Sequence, residues 1–139
     1  METCMKKQGI LAVVGSRDYN DGADFDLLLS KFLATNPHIT HLVSGGARGI
    51  DSLVEEFADL YMWPLAVIKP DYERHGKIAP LIRNCDIAQK CTEMLAFWDG
   101  QSRGTMHAVQ QAVKKGKPVT IYSIARMNND TITDQEIAP

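Results

Sequence analysis

Short, wholly apolar runs alternate along this chain with longer stretches whose apolar residues recur every three or four positions. Ile10–Val14 is the first unbroken run, and Phe25, Leu28, Leu29, Phe32 and Leu33 follow at helical spacing until Asn36-Pro37 stops them. The same order then repeats. Ile39–Val43 is expected as a second strand, the stripe Ile50, Leu53, Val54, Phe57, Ala58 and Tyr61 as a second helix, and Pro64–Ile68 as a third strand. Lys69–Ala79 is polar, carries Pro70, His75 and Gly76, and is expected as a loop long enough to cover a site. Beyond it, Leu81–Lys90 has a helical pattern and Met94–Trp98 reads as a fourth strand. Thr105–Lys115 reads as a helix ended by Gly116, and Val119–Tyr122 as a fifth strand. Apolar strands separated by helices belong to a parallel sheet covered on both faces, so the pattern predicts a five-stranded parallel α/β sandwich. From Arg126 to Pro139 the chain is polar, with Asn128-Asn129-Asp130 and no apolar period. One domain is therefore expected over residues 1–125, with 126–139 as a mobile or loosely docked polar tail. Met62 and Trp63 read as packing residues at a helix end, and Trp98 as either a core aromatic or a surface on which a ring stacks.

Composition narrows the classes. A chain of 139 residues that is 45% hydrophobic suits a single domain with its own core. Fifteen Lys+Arg against seventeen Asp+Glu give a net charge of −2, without the positive excess that holds nucleic acid through counterion release, so nucleic-acid binding is not expected. Cys4, Cys85 and Cys91 are odd in number and lack CxxC spacing, which supports neither a disulfide framework nor a zinc site. His38 and His41 have too few companions for metal binding, and His107 falls on a predicted helix, so no metal is expected. Met1–Gln8 lacks the apolar stretch of a signal peptide, and no run approaches the roughly 20 apolar residues needed to span a bilayer. A cytoplasmic protein without membrane contact is the expectation.

The candidate chemistry lies in three turns at strand ends. These are Gly15-Ser16-Arg17, then Ser44-Gly45-Gly46-Ala47-Arg48-Gly49-Ile50-Asp51, and then Asp99-Gly100-Gln101-Ser102-Arg103-Gly104-Thr105. In a parallel sheet such turns share one edge and present backbone N–H groups, arginines and small side chains to one anionic ligand. In the second turn Arg48 offers bidentate phosphate contacts, while Asp51 either caps free N–H groups or accepts from a ribose hydroxyl. Ser16 and Arg17 supply a hydroxyl and a guanidinium beside Gly15, the alternative for Arg17 being a surface pair with Asp18 or Asp21. Gly104-Thr105 opens a helix as a small anion nest beside Ser102 and Arg103, with Asp99 at the strand tip; helix capping accounts for Ser102 and Thr105 equally well. The G-G-A-R-G turn is neither a dinucleotide fingerprint nor a P-loop, lacking the Lys followed by Ser or Thr, so ATP hydrolysis is not indicated.

Val-Val-Gly-Ser-Arg (13–17), Leu-Val-Ser-Gly-Gly-Ala-Arg-Gly-Ile-Asp (42–51), Ile-Arg-Asn (82–84) and Ala-Phe-Trp-Asp-Gly-Gln-Ser-Arg-Gly-Thr (96–105) resemble the SLOG superfamily, specifically its YspA and YpsA-related branch. The resemblance covers about residues 9–122. The first two segments are also similar to the Rossmann-like domain of DNA-processing protein A, and the Gly-Thr helix start to the "lonely guy" phosphoribohydrolases. The resemblance implies a Rossmann-like three-layer sandwich, with a mostly parallel sheet of about five strands, that binds a nucleotide or nucleotide-derived ligand. It also places Arg83 and Asn84 near that ligand, where on physical grounds alone Arg83 is equally a solvated helix residue. The phosphoribohydrolases carry Pro-Gly-Gly-x-Gly-Thr-x-x-Glu, but here the third residue after Thr105 is Ala108 and the expected catalytic Glu is absent.

Two function classes follow. The first is a module that senses or sequesters a nucleotide-like small molecule, with no cofactor. The second is an N-glycosidic hydrolase or transferase acting on nucleoside monophosphates, in which Asp51 or Asp99, or Asp71 or Glu73 of the loop, replaces the missing Glu. Single-strand DNA binding and protein-partner binding are weaker alternatives, and a homo-oligomer is compatible with the helical faces. His75, with Tyr72, Arg74 and Lys77, offers loop contacts to a base or phosphate.

Overall fold

The computed structural model describes residues 8–19 and 21–124, and the backbone of 132–137. Cys4 and the rest of 1–7 lie outside the described residues. Strand β1 (Gly9–Gly15) leads into helix α1 (Gly22–Thr35), β2 (Ile39–Ser44), α2 (Ile50–Tyr61) and β3 (Leu65–Val67). A short helix α3 (Tyr72–His75) and a 3₁₀ turn (Gly76–Ile78) precede α4 (Ala79–Lys90), β4 (Glu93–Trp98), α5 (Arg103–Lys114) and β5 (Val119–Ile124). A last strand, β6 (Ile132–Ile137), closes the described chain. The sheet order is β3-β2-β1-β4-β5-β6, with β1 to β5 parallel and β6 antiparallel to β5.

The apolar periods explain the layers. Alternate residues of β1 point to opposite faces, so Leu11 and Val13 pack with Phe25, Leu29, Val54 and Phe57 of α1 and α2. Ala12 and Val14 pack on the other face with Ile87, Ala88, Ala108 and Ala112 of α4 and α5. Phe25 is the centre of an aromatic group, 5.0 Å from Phe97 and 6.4 Å from Phe57 between ring centroids. This is the expected Rossmann-like three-layer α/β sandwich, its five-stranded parallel sheet extended by one antiparallel strand.

Three local expectations are corrected. Residues 132–137 are a strand, not part of a loosely docked tail, and they cover an edge of β5 that would otherwise be open; the rest of 126–139 lies outside the described residues. The polar stretch 69–79 is largely helical: Asp71 Oδ1 accepts from Arg74 N–H at 3.1 Å and starts α3. Met62 is not a packing residue. It is 89% exposed and ends α2 in a left-handed conformation, whereas Trp63 does pack against the core. Among the described residues no helix is long and apolar enough to cross a membrane.

Candidate functional site

The chain order of the sheet reverses between β1 and β4, and there the turns at the carboxyl ends of β1, β2 and β4 are tied together. Ser16 N–H donates to the Phe97 carbonyl at 3.2 Å, and Ser16 Oγ donates to Asp99 Oδ2 at 3.2 Å. From the other side Ile50 N–H donates to the Ser16 carbonyl at 3.1 Å. Gly49 makes that approach possible: its φ is +73°, and a Cβ there would overlap the Ser16 carbonyl. The three turns, with α4 and the start of α5, enclose an open cleft of about 510 Å³.

Gly15, Ser16, Arg17, Gly45, Ala47, Arg48, Asp51, Asp99, Ser102, Gly104 and Thr105 of the three turns all line this cleft, as do Arg83 and Asn84, which the family resemblance had placed there. Three expected residues do not. Ser44 is fully buried, and it is its carbonyl that is engaged, accepting from Ile68 N–H at 2.8 Å. Gly46 faces an adjoining groove, and Arg103 is exposed on α5 outside the cleft. Pro80, Leu81 and Ile87 form an apolar wall that sequence reasoning missed. A signal existed: each stands three or four positions from Arg83 or Asn84, hence near them on the helix surface.

Asp51 does not cap its own helix. It is 7% exposed, and its Oδ2 accepts from Ala47 N–H at 3.1 Å, closing the glycine turn in front of α2. Burial pushes its carboxyl above the ordinary carboxylate range, against the opposing pull of the Ala47 N–H and the Arg83 charge. Arg83 is likewise buried rather than solvated, and burial lowers its pKa while Asp51 opposes the shift. Its Nη1 donates to the Gly45 carbonyl and its Nε to Asn84 Oδ1 at 3.0 Å. Gly45 leaves room for this, since a Cβ there would stand 2.6 Å from Arg83 Nη1. Asn84 Nδ2 extends the chain of bonds to the Gly104 carbonyl at 3.3 Å and His107 Nδ1 at 3.1 Å. His107 thus packs locally, and burial lowers its pKa.

The β4 turn is shaped by Asp99, whose Oδ1 accepts from Gln101 N–H and Ser102 N–H, both at 2.8 Å. Ser102 caps α5, its Oγ accepting from Thr105 N–H at 3.3 Å and meeting Thr105 Oγ1 at 2.9 Å. Trp98 Nε1 donates to the Ser102 carbonyl at 3.1 Å, so the indole braces the turn. Arg17 and Arg48 are exposed at the cleft mouth and, among the described residues, have no carboxylate within ion-pair reach. The alternative of an Arg17 pair with Asp18 or Asp21 is therefore not adopted there. Ala108 lines the cleft wall at the position where the phosphoribohydrolases carry Glu. Asp71, the N-cap of α3, and Glu73 within it lie outside the cleft. Among the described residues no group of three or more His, Cys, Asp or Glu side chains is placed to hold a metal, and Cys85 and Cys91 are free thiols.

Comparison with known proteins sets this arrangement in a lineage. DNA processing protein A from Streptococcus pneumoniae superposes with a TM-score of 0.66 at 20% identity, over 84% of this chain and 50% of that one. The Helicobacter pylori protein of the same name, whose structure was determined for its single-stranded DNA binding mode, gives 0.64 at 21% identity over 86% and 67%. This chain therefore spans half the length of the Streptococcus pneumoniae protein, and at such identities the likeness is one of fold. The gene 61 protein of Mycobacterium phage D29 is 32% identical over 117 residues, which cover 77% of this chain and 90% of that protein. Residues 10–75, from β1 through α3 with the first two glycine turns, match the YAcAr family described as YspA, cpYpsA-related SLOG. With that match, the phage relative and the shared fold, the chain belongs to the YspA, cpYpsA-related SLOG family.

Proposed function

We propose that the cleft binds a nucleotide or nucleotide-derived phosphorylated ligand and that the protein acts as a sensor or sequestering module. One observation carries this: Arg17, Arg48 and Arg83 border a cleft at the sheet's switch point that also has an apolar wall of Pro80, Leu81 and Ile87. Guanidiniums suit phosphate, and an apolar wall beside them suits a base or sugar face. The turn groups are held by bonds to one another, so the site is formed before a ligand arrives.

The hydrolase reading needs a free carboxylate against the glycosidic bond. Ala108 supplies none, and of the carboxylates that line the cleft Asp99 accepts on both oxygens, Asp51 is committed to Ala47 and Asp18 is exposed to solvent. Binding without turnover is therefore favoured. A second reading, single-strand nucleic acid, draws on the basic groove beside the cleft and on the DNA-binding mode described for the Helicobacter pylori relative. The free thiols and the lack of a membrane-spanning helix among the described residues agree with a cytoplasmic setting.

A thermal-shift titration with nucleoside monophosphates, their parent nucleosides and short oligonucleotides, each recovered and assayed for released base, tests the choice. Stabilisation by intact monophosphates, absent with the nucleosides, is expected. Released base would install the hydrolase reading, and stabilisation by oligonucleotides alone would install the second.

A further inference from the structure

Beyond the cleft, and sharing Arg17, Arg48 and Arg83 with it, lies a second groove of about 400 Å³ that also takes in Lys69 and Tyr72. The two cavities differ in charge. Asp18, Asp51 and Asp99 stand in the cleft against its three arginines, whereas the groove is lined by four cations and no carboxylate. The shared guanidiniums therefore sit on a border with near-neutral lining on one side and positive lining on the other. Tyr72 is 57% exposed at the start of α3, so its ring offers a free face beside those cations. An aromatic face next to a cationic track suits a nucleobase linked to phosphate.

Resting on the proposal that the cleft takes a nucleotide, we infer that the groove is a second nucleoside subsite and that the ligand has two nucleoside halves joined through phosphate. One half occupies the cleft against Leu81 and Ile87. The linking phosphate lies on the shared arginines, and the second base stacks on Tyr72 with Lys69 beside it. A free dinucleotide and one step of a single strand present the same chemistry, and they differ only in whether chain continues past the two bases.

The test is a titration of the full chain with AMP, with the dinucleotide pApA and with an oligoadenylate of about ten residues, repeated on Tyr72→Ala and Tyr72→Phe. Tyr72 is exposed, so both variants keep the fold. The dinucleotide is expected to bind more tightly than AMP. Tyr72→Ala should lower dinucleotide affinity by roughly 5- to 150-fold, the range of one base–aromatic stack, while AMP affinity stays within about twofold and Tyr72→Phe restores the dinucleotide. Equal affinity of the longer oligonucleotide and pApA would assign the subsite to a two-residue ligand, and a large further gain would assign it to a strand. Dinucleotide affinity equal to that of AMP, or unchanged in Tyr72→Ala, overturns the second subsite and leaves the cleft proposal standing. Absence of binding by all three probes overturns both.

Discussion

Arg48 and Asp51 lie three positions apart, yet burial gives them opposite roles: one reaches into solvent at the cleft mouth and the other holds the turn from within. Arg48→Ala should leave stability within about 0.5 kcal/mol, because an exposed side chain with no partner among the described residues is lost. It should weaken a phosphorylated ligand by about 1.5–3 kcal/mol, the usual worth of a charge-assisted bond; calorimetric titration beside a melting curve separates the two effects. For Asp51 the consequence is a pH dependence. Its folded pKa lies above its unfolded one, so the folded state holds the proton more tightly, and the stability this brings is present in acid and lost as pH rises through the folded value. Asp51→Asn removes a carboxylate that burial disfavours. The variant's melting temperature should exceed the wild type's most at neutral pH, and the gap should narrow on acidification into the carboxylate range; a gap that is constant or widens in acid would contradict the assignment. Gly104 poses the reverse case. It borders the cleft, its φ is not positive, and a Cβ there meets nothing within 4 Å, so neither packing nor backbone requires glycine. Gly104→Ala should stabilise the unliganded protein by roughly 0.4–1 kcal/mol and, if the open space is the ligand's, weaken binding; denaturant melts and titrations on the same sample check both.

Among the elements, α4 does the most to assemble the site, since it carries the apolar wall, Arg83 and the bridge from Asn84 to α5. Asn84→Leu keeps the branched outline of the side chain but strands Arg83 Nε and severs the link to the Gly104 carbonyl. A loss of about 1–3 kcal/mol in a denaturant melt is expected, and a loss under 0.5 kcal/mol would show that the bridge is incidental. Elements with an apolar period or run were legible in the chain: β1, β2, α2, β3, α4, β4, α5 and β5 all appear within one or two residues of their expected bounds, and α1 begins three residues before its first apolar position. Those that lack such a period were not. Ile132 and Ile137 of β6 are an odd five positions apart, which no period of two connects, and the strand owes its place to pairing with β5. Helix α3 is four residues long, too short for periodicity, and its only forewarning was Asp71 as a cap.

At the scale of the whole molecule, strand order decides which turns meet. Parallel strands in the order β3-β2-β1-β4-β5 bring three turns far apart in sequence to one edge, and the expected site residues gather there because that edge was inferable from the βα alternation. Orientation within the edge was not inferable. Ser44 turns into the core and Arg103 out to solvent, since one position along a strand or helix changes the face that a side chain takes. Net charge is as uninformative about local surface: an overall −2 is compatible with a groove lined by four cations and no carboxylate, because composition carries no information about segregation over the surface. On the proposed function, a nucleotide-like phosphorylated ligand sits on these three turns. Amide chemical-shift mapping on the isotope-labelled chain during titration with a nucleoside monophosphate tests it most directly. Concerted shifts are expected at Ser16–Arg17, Gly45–Asp51 and Ser102–Thr105, with the amides of α1 and of α2 beyond its first turn unmoved. Shifts confined to other surfaces, or none at saturating ligand, would contradict it.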